Sequence, residues 1–138
     1  MDKMQGKPVS RDVKDWVILA VDDSPDNLYV LQAALRHFGA RVFTASDGAE
    51  GLKKLAEIQP NIILLDLAMP SVNGWQMFES VRGNPETAHI PIIAVTAYAM
   101  SGDRERVLRA GFNGYISKPY DIGKLVEQIQ TAITPVSP

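Results

Sequence analysis

The stretch 61-NIILLDLAMPSVNGW-75 decides the fold of this chain. Its apolar run, from Ile62 to Leu65, ends at a single acid, Asp66, and a loop that contains a proline and a glycine follows at once. A continuous apolar run, rather than an alternating one, is typical of a strand that is buried on both faces of a parallel sheet. The stretch therefore predicts a central parallel strand that ends on a carboxylate.

Strand-like and helical segments alternate on both sides of this stretch. Five strands are predicted, over 16–21, 41–46, 61–67, 90–97 and 114–119. Five helices are predicted between and after them, from Ser24-Pro25 to about Gly39 and over 47–59, 74–82, 101–111 and 121–133. Such alternation predicts an α/β fold, a doubly wound five-stranded parallel sheet in the flavodoxin-like order 2-1-3-4-5 with helices on both faces.

The composition is that of one globular domain. The 138 residues are 46% hydrophobic, and 16 acids against 14 bases give a net charge of −2, so no overall basic charge favours nucleic acid or a membrane surface. The chain has no cysteine, which excludes disulfides and thiolate sites. We expect a cytoplasmic protein with a flexible N-terminal leader over 1–15, because these residues lack the apolar core of a secretory signal, and a C-terminal tail over 135–138.

Three acids are expected at one edge of this sheet. Asp22 and Asp23 end the first strand and Asp66 ends the third, and these strands are neighbours in the predicted order. Ligands of such sheets bind beyond the carboxyl ends of the strands, at this switch point. Because carboxylates held so close repel one another, a hard divalent cation such as Mg²⁺ is the natural compensating group.

Two further polar residues end strands at the same edge. Thr96 ends the fourth strand and Lys118 ends the fifth. A hydroxyl and an ammonium group beside a metal-bound carboxylate suit a phosphoryl group, which Asp66 would accept as a nucleophile. Any one of these residues alone is most simply a turn or surface residue. Their combination at one edge favours a phosphoryl-transfer site.

Four motifs together resemble the receiver domain of two-component response regulators: 21-VDDSPDN-27, 64-LLDLAMPSVNGW-75, 91-PIIAVTAYA-99 and 115-YISKP-119. The resemblance covers roughly 16–134 and is greatest to the stand-alone, single-domain members. It implies a regulator that takes a phosphoryl group from a sensor histidine kinase or a histidine phosphotransfer protein and acts on a downstream protein. It also implies Mg²⁺, or Mn²⁺, as the cofactor.

The resemblance assigns roles to individual positions of the site. It makes Asp66 the phosphoacceptor. It implies four metal ligands: Asp22, Asp23, Asp66 and the backbone carbonyl of Ala68. It implies three phosphoryl-binding residues: Thr96, Ala97 and Lys118. The Lys118–Pro119 peptide bond is expected to be cis, which is energetically accessible before proline.

The resemblance also implies a switch, in which Thr96 moves toward the phosphoryl group and the ring of Tyr115 turns inward. The surface of helix 4, strand 5 and helix 5 then changes shape, and it includes Tyr120, which is alternatively an ordinary packing residue. We further hypothesise that Tyr98 shields the phosphoryl group and slows dephosphorylation. The small Ala68 leaves the site more open and acts in the opposite direction.

Other functions remain as alternatives. A receiver-like adaptor that works without phosphorylation would keep the fold and use only its surface. A haloacid dehalogenase-type aspartyl-phosphate phosphatase would need an acid two residues after its nucleophile, where this chain has Ala68. A flavodoxin would need a Ser/Thr/Gly-rich phosphate loop where this chain has 22-DDSPDN-27. The expected protein is thus a signalling phosphoreceiver rather than an enzyme, as a monomer or a phosphorylation-dependent dimer.

Overall fold

A computed structural model describes residues 9–67, 74–96 and 103–134 of the chain. Within these ranges, five strands form one parallel sheet: β1 (Val17–Val21), β2 (Arg41–Ala45), β3 (Ile62–Asp66), β4 (Ile92–Thr96) and β5 (Gly114–Ser117). Their order is β2-β1-β3-β4-β5, which confirms the predicted topology. Every residue of β3 and β4 is buried, as expected of central strands covered on both faces.

The helices alternate with the strands as predicted. The described residues contain α1 (Pro25–His37), α2 (Gly48–Ile58), α3 (Gly74–Gly83), α4 (Asp103–Ala110) and α5 (Ile122–Ile133). Their bounds differ from the predicted ones by two residues at most. A short 3₁₀ turn over Val13–Asp15 precedes β1 and was not predicted from the sequence.

Polar side chains determine where three of these helices begin. Ser24 caps α1 by accepting a hydrogen bond from the Asn27 amide at 3.3 Å, with Pro25 at the first helical position. Asp47 and Asp121 cap α2 and α5 in the same way. Because each cap satisfies an amide that has no partner within its helix, it determines the residue at which that helix begins.

Two hydrophobic layers enclose the sheet. On one face, Ile18 and Ala20 of β1 belong to a cluster with buried residues of α1 and α5, which include Leu31, Leu125 and Ile129. On the other face, a second cluster joins the alternate β1 residues Leu19 and Val21 to α2, α3 and α4. Burial of these side chains, at roughly 25 cal/mol per Å² of apolar surface, is the main stabilising contribution to the fold.

The strand register positions the candidate site. Val21 pairs with Leu65 across β1 and β3, so the next residues along the chain, Asp22 and Asp66, lie side by side at the carboxyl ends of these strands. Across β4 and β5, Thr96 pairs with Ser117, the residue before Lys118. The parallel register therefore brings four polar side chains from separate parts of the chain to one edge.

Residues immediately before β1 are attached to α5. The indole N–H of the fully buried Trp16 donates to the Ser10 carbonyl at 2.7 Å, and the Gln130 side chain donates to the Arg11 carbonyl at 2.8 Å. The Arg11 guanidinium also donates to the hydroxyl of Thr134. These contacts involve residues of the predicted leader, whose boundary at residue 16 stays a prediction; residues 1–8 and the predicted tail lie outside the described ranges. None of the described helices is long and apolar enough to cross a membrane.

Candidate functional site

The three predicted acids form one cluster beyond β1 and β3. Carboxylate oxygens of Asp22, Asp23 and Asp66 all lie within 4.8 Å of one another. Asp22 and Asp66 are buried, with 2% and 3% of their surfaces exposed, whereas Asp23 is exposed. The predicted juxtaposition is thereby confirmed. Two buried carboxylates with an exposed third at the opening provide the oxygen ligands that Mg²⁺ prefers.

Lys118 lies between two of these acids. Its ammonium nitrogen is 2.8 Å from Asp22 Oδ2 and 3.2 Å from Asp66 Oδ2. The lysine follows β5 directly, and its amide donates to the Thr96 carbonyl at 2.9 Å, which anchors the backbone from which the side chain extends. The Lys118–Pro119 peptide bond is cis, so this prediction is confirmed.

The local charges keep Lys118 protonated. Burial by itself lowers the pKa of the Lys118 ammonium group, but contact with Asp22 and the charges of Asp66 and Asp22 outweigh it, so the pKa is raised above its ordinary value. The single positive charge faces three carboxylates, which leaves the cluster net negative. This net charge is what a divalent cation would neutralise.

Asp22 is held by its other oxygen. Oδ1 accepts a hydrogen bond from the Ser24 amide at 2.9 Å, at the start of α1. Oδ2 is buried and forms the ion pair with the Lys118 ammonium group at 2.8 Å. The carboxylate is therefore oriented from the protein side, and Oδ2 retains the capacity to accept a hydrogen bond.

The two predicted switch residues lie on adjacent strands. Thr96 ends β4 and is 5% exposed. Tyr115 is half-buried on β5, where it pairs with Ala94 and packs against the hydrophobic cluster on the α2–α4 face of the sheet. Three other predicted site residues, Ala68, Ala97 and Tyr98, lie outside the described residues.

Gly74 is a residue of this region that the sequence analysis did not single out. A Cβ atom at Gly74 would lie 2.5 Å from the carbonyl oxygen of Asp66 and 3.0 Å from the Cα of Leu67. The first turn of α3 therefore packs directly on the backbone of the predicted phosphoacceptor, and only glycine allows this approach. The sequence shows a glycine eight residues after Asp66. It does not indicate that this glycine packs against the Asp66 carbonyl oxygen.

Tyr120 was named from the sequence either as an output-surface residue or as an ordinary packing residue. It packs partly buried against the cluster on the α1 and α5 face. Its hydroxyl is buried and has no hydrogen-bond partner among the residues that the structure describes. Burial, followed by the negative charges of Asp22 and Asp66, raises the pKa of the Tyr120 phenol. The hydroxyl therefore remains protonated at neutral pH.

Residues 18–130 match the response regulator receiver domain family, and the chain belongs to this family. It is 33% identical to the polar-differentiation response regulator DivK of Brucella anthropi. The 114 aligned residues cover 83% of this chain and 93% of DivK. It is also 40% identical over 113 residues to an uncharacterised 14.6 kDa protein of Leptolyngbya boryana, covering 82% of this chain and 86% of that one.

Solved structures agree with this membership. The chemotaxis protein CheY4 of Vibrio cholerae superimposes with a TM-score of 0.79 at 27% identity, over 85% of this chain and 98% of that one. The receiver domain of the sensor histidine kinase PA1611 of Pseudomonas aeruginosa PAO1 gives a TM-score of 0.75 at 35% identity, over 86% of this chain and 96% of that one. That domain has a magnesium ion coordinated in its active site cleft. The chain is thus a two-component signalling protein of the receiver class, which is not a class of conventional enzymes.

Proposed function

We propose that this chain is a cytoplasmic, single-domain response regulator that accepts a phosphoryl group on Asp66 in a Mg²⁺- or Mn²⁺-dependent reaction. The donor is a sensor histidine kinase or a histidine phosphotransfer protein. The observation that supports this proposal best is the convergence of three carboxylates and the Lys118 ammonium group beyond the ends of β1, β3 and β5. Membership of the receiver family and the magnesium ion in the PA1611 receiver domain add to it.

The donor atoms of the site fit a divalent cation. Asp22, Asp23 and Asp66 would hold the cation together with the carbonyl of Ala68. The two buried acids share a single ammonium group, that of Lys118, so their negative charge is only partly balanced. When bound, the cation would neutralise charge on the carboxylates and on the phosphoryl oxygens. The protein contribution is to keep these oxygens close together in spite of their mutual repulsion.

Asp66 acts as the nucleophile in the transfer. One of its carboxylate oxygens forms the new O–P bond while the N–P bond of the donor phosphohistidine breaks, and the imidazole nitrogen keeps the electron pair and takes up a proton. A carboxylate already carries the charge with which it attacks, so this step needs no general base. Lys118, 3.2 Å from Asp66 Oδ2, is close enough to pair with a phosphoryl oxygen.

The phosphoryl group then alters the surface through β4, which neighbours β3, and through β5 beyond it. Thr96 and Ala97 bind phosphoryl oxygens, and the Tyr115 ring moves into the space that Thr96 leaves. The group adds about two negative charges to Asp66, and this local charge biases the α4–β5–α5 surface toward a second conformation. A downstream protein binds that surface, or a second copy of the chain does so in a phosphorylation-dependent dimer. Ala68 and Tyr98 adjust the lifetime of the phosphoryl group.

A mass measurement with one matched pair of variants tests the proposal. The protein is incubated with acetyl phosphate, with and without Mg²⁺, and its intact mass is compared with those of Asp66→Asn and Asp26→Asn. Asp26 is an exposed acid of the first turn of α1, outside the carboxylate cluster. We expect a Mg²⁺-dependent phosphoryl adduct in the wild type and in Asp26→Asn but not in Asp66→Asn. No adduct, and no beryllofluoride complex, would favour the adaptor that works without phosphorylation.

A further inference from the structure

Helix α4 contributes little to the described hydrophobic core. Between Arg104 and Ala110, Val107 is the one buried residue, and the other residues of that range are exposed. By comparison, α3 buries four residues. A helix attached by so little buried apolar surface opens or shifts at a low cost in free energy. The position of α4 therefore depends on a few individual contacts.

The carboxyl end of α4 is anchored to α3. Phe112, two residues beyond the helix, is 4% exposed, and its ring stacks on that of Phe78 with centroids 4.0 Å apart and planes 9° apart. Gly111, between the helix and this anchor, has a φ of 115°, a conformation that favours glycine. Its carbonyl accepts a hydrogen bond from the Arg82 guanidinium at 3.2 Å. This end of α4 is thus fixed in place and can act as a pivot for the helix.

Trp75 of α3 contacts α4 about one turn before that end. The central carbon of the Arg106 guanidinium lies over the Trp75 ring, 5.7 Å from its centroid. The same ring meets Phe112 edge-on, with centroids 5.3 Å apart. A guanidinium over an indole ring at this distance is attracted by the negative charge of the ring face. Because Arg106 is exposed, the contact can be broken without disturbing the core.

Trp75 is also adjacent to the residue that packs on Asp66. Gly74 lies against the Asp66 carbonyl so closely that a Cβ atom would come within 2.5 Å of the oxygen, and Trp75 follows it in the first turn of α3. A shift of the Asp66 backbone toward α3 must therefore move the start of that helix and the indole ring with it. Since a cation–π contact requires the cation to lie over the ring face, such a shift would weaken the contact with Arg106.

We propose that the Arg106–Trp75 contact holds α4 against α3 while Asp66 is unmodified, and that a phosphoryl group on Asp66 breaks it. Helix α4 then pivots about Gly111 and Phe112. The inference rests on the proposed function and assigns Trp75 a positioning role in it. The signal would thus reach the α4–β5–α5 surface by a route through α3, in addition to the two switch residues of β4 and β5.

Hydrogen exchange of the α4 backbone amides, measured by mass spectrometry on the unphosphorylated protein, tests whether the contact holds the helix. Arg106→Met removes the cation and retains a good helix former. We expect the α4 amides of this variant to exchange about two- to fivefold faster, with rates in the other helices unchanged. Arg109→Met removes another exposed arginine of α4 and should leave all rates unchanged. In a Trp75→Leu background, Arg106→Met should have no further effect. Equal α4 rates in Arg106→Met and the wild type would overturn the proposal.

The same measurement with Mg²⁺ and beryllofluoride, which takes the place of the phosphoryl group, tests the link to Asp66. We expect α4 exchange in the wild type to rise to the level of Arg106→Met. The variant should show little further rise, because its contact is already broken. No rise in the wild type, or an equal rise in both proteins, refutes the link. Fluorine NMR follows the beryllofluoride complex separately. Its absence would overturn the proposed function and the link together, while exchange in the unphosphorylated protein still decides whether Arg106 holds α4.

Discussion

The ammonium nitrogen of Lys118 lies closer to Asp22 than to Asp66, at 2.8 Å from Asp22 Oδ2 against 3.2 Å from Asp66 Oδ2. The lysine thus contacts two proposed metal ligands, one of which, Asp66, is also the proposed phosphoacceptor. A cation at the acidic cluster and the ammonium group of Lys118 would carry like charges and share the same oxygens. Metal binding and the position of Lys118 are consequently linked.

Lys118→Met should tighten Mg²⁺ binding. Removing a positive charge from beside two carboxylates eliminates its repulsion of the incoming cation and releases Asp22 Oδ2. We expect the dissociation constant measured by calorimetry to fall about three- to tenfold at low ionic strength. Lys124→Met, which removes an exposed lysine of α5, is the control and should leave it unchanged. Weaker Mg²⁺ binding by Lys118→Met would contradict this account of the ion pair.

The same ion pair gives a prediction for alkaline pH. The pKa of Lys118 is raised in the folded protein above its ordinary value of 10.5. A lysine whose pKa is raised by folding stabilises the protein fully at a pH below its pKa in the unfolded chain. This stabilisation is lost as the pH rises through its pKa in the folded protein.

Urea unfolding of the wild type and of Lys118→Met from about pH 8 to about pH 11.5 measures this contribution. The wild type should be the more stable protein at the lower pH, because Lys118→Met leaves buried carboxylates without their counter-charge. The difference in unfolding free energy should narrow above the ordinary lysine pKa. A difference that is constant across the range would mean that the ammonium group contributes nothing to stability.

Gly74→Ala should distort the backbone at the proposed phosphoacceptor. The new Cβ atom would meet the Asp66 carbonyl oxygen at 2.5 Å, so α3 or the end of β3 must move. We expect the unfolding free energy to fall by about 1–3 kcal/mol and phosphorylation by acetyl phosphate to slow, as measured by urea unfolding and intact mass.

Gly83→Ala, at the other end of α3, is the matched control for that substitution. A Cβ atom at Gly83 would meet nothing within 4 Å, and alanine is the better helix former. This variant should be neutral or more stable by up to about 1 kcal/mol. Equal losses of stability in the two glycine variants would show that the contact with Asp66 is not the cause.

Arg82→Lys should destabilise the protein although it keeps the charge. The Arg82 guanidinium donates to the carbonyls of Ala88, Ile90 and Gly111 and to the side chain of Asn113, at 2.7–3.2 Å. A lysine ammonium group is a single point donor and cannot bond to all four of these acceptors as the planar guanidinium does. We expect the unfolding free energy measured with urea to fall by about 2 kcal/mol. Arg109→Lys, at an exposed position of α4, should leave the unfolding free energy unchanged.

The main features of the fold and of the candidate site were predictable from local sequence. Continuous apolar runs identified the strands, and capping residues such as Ser24 identified the helix starts. Because parallel strands end at the same edge, the acids after β1 and β3 had to lie together once the strand order was known. The ends of the helices and the 3₁₀ turn over Val13–Asp15 were less predictable, since they depend on individual hydrogen bonds.

By itself, the sequence determined the secondary structure, the topology and the edge at which the polar residues gather, because these follow from periodicity and strand order. Only the tertiary structure decided which atoms meet there. The ion pairs of Lys118 with Asp22 and Asp66 and the closeness of Gly74 to the Asp66 carbonyl are contacts that no local pattern indicates. Their geometry depends on how the layers pack at a scale of tenths of an ångström, which no local sequence pattern specifies.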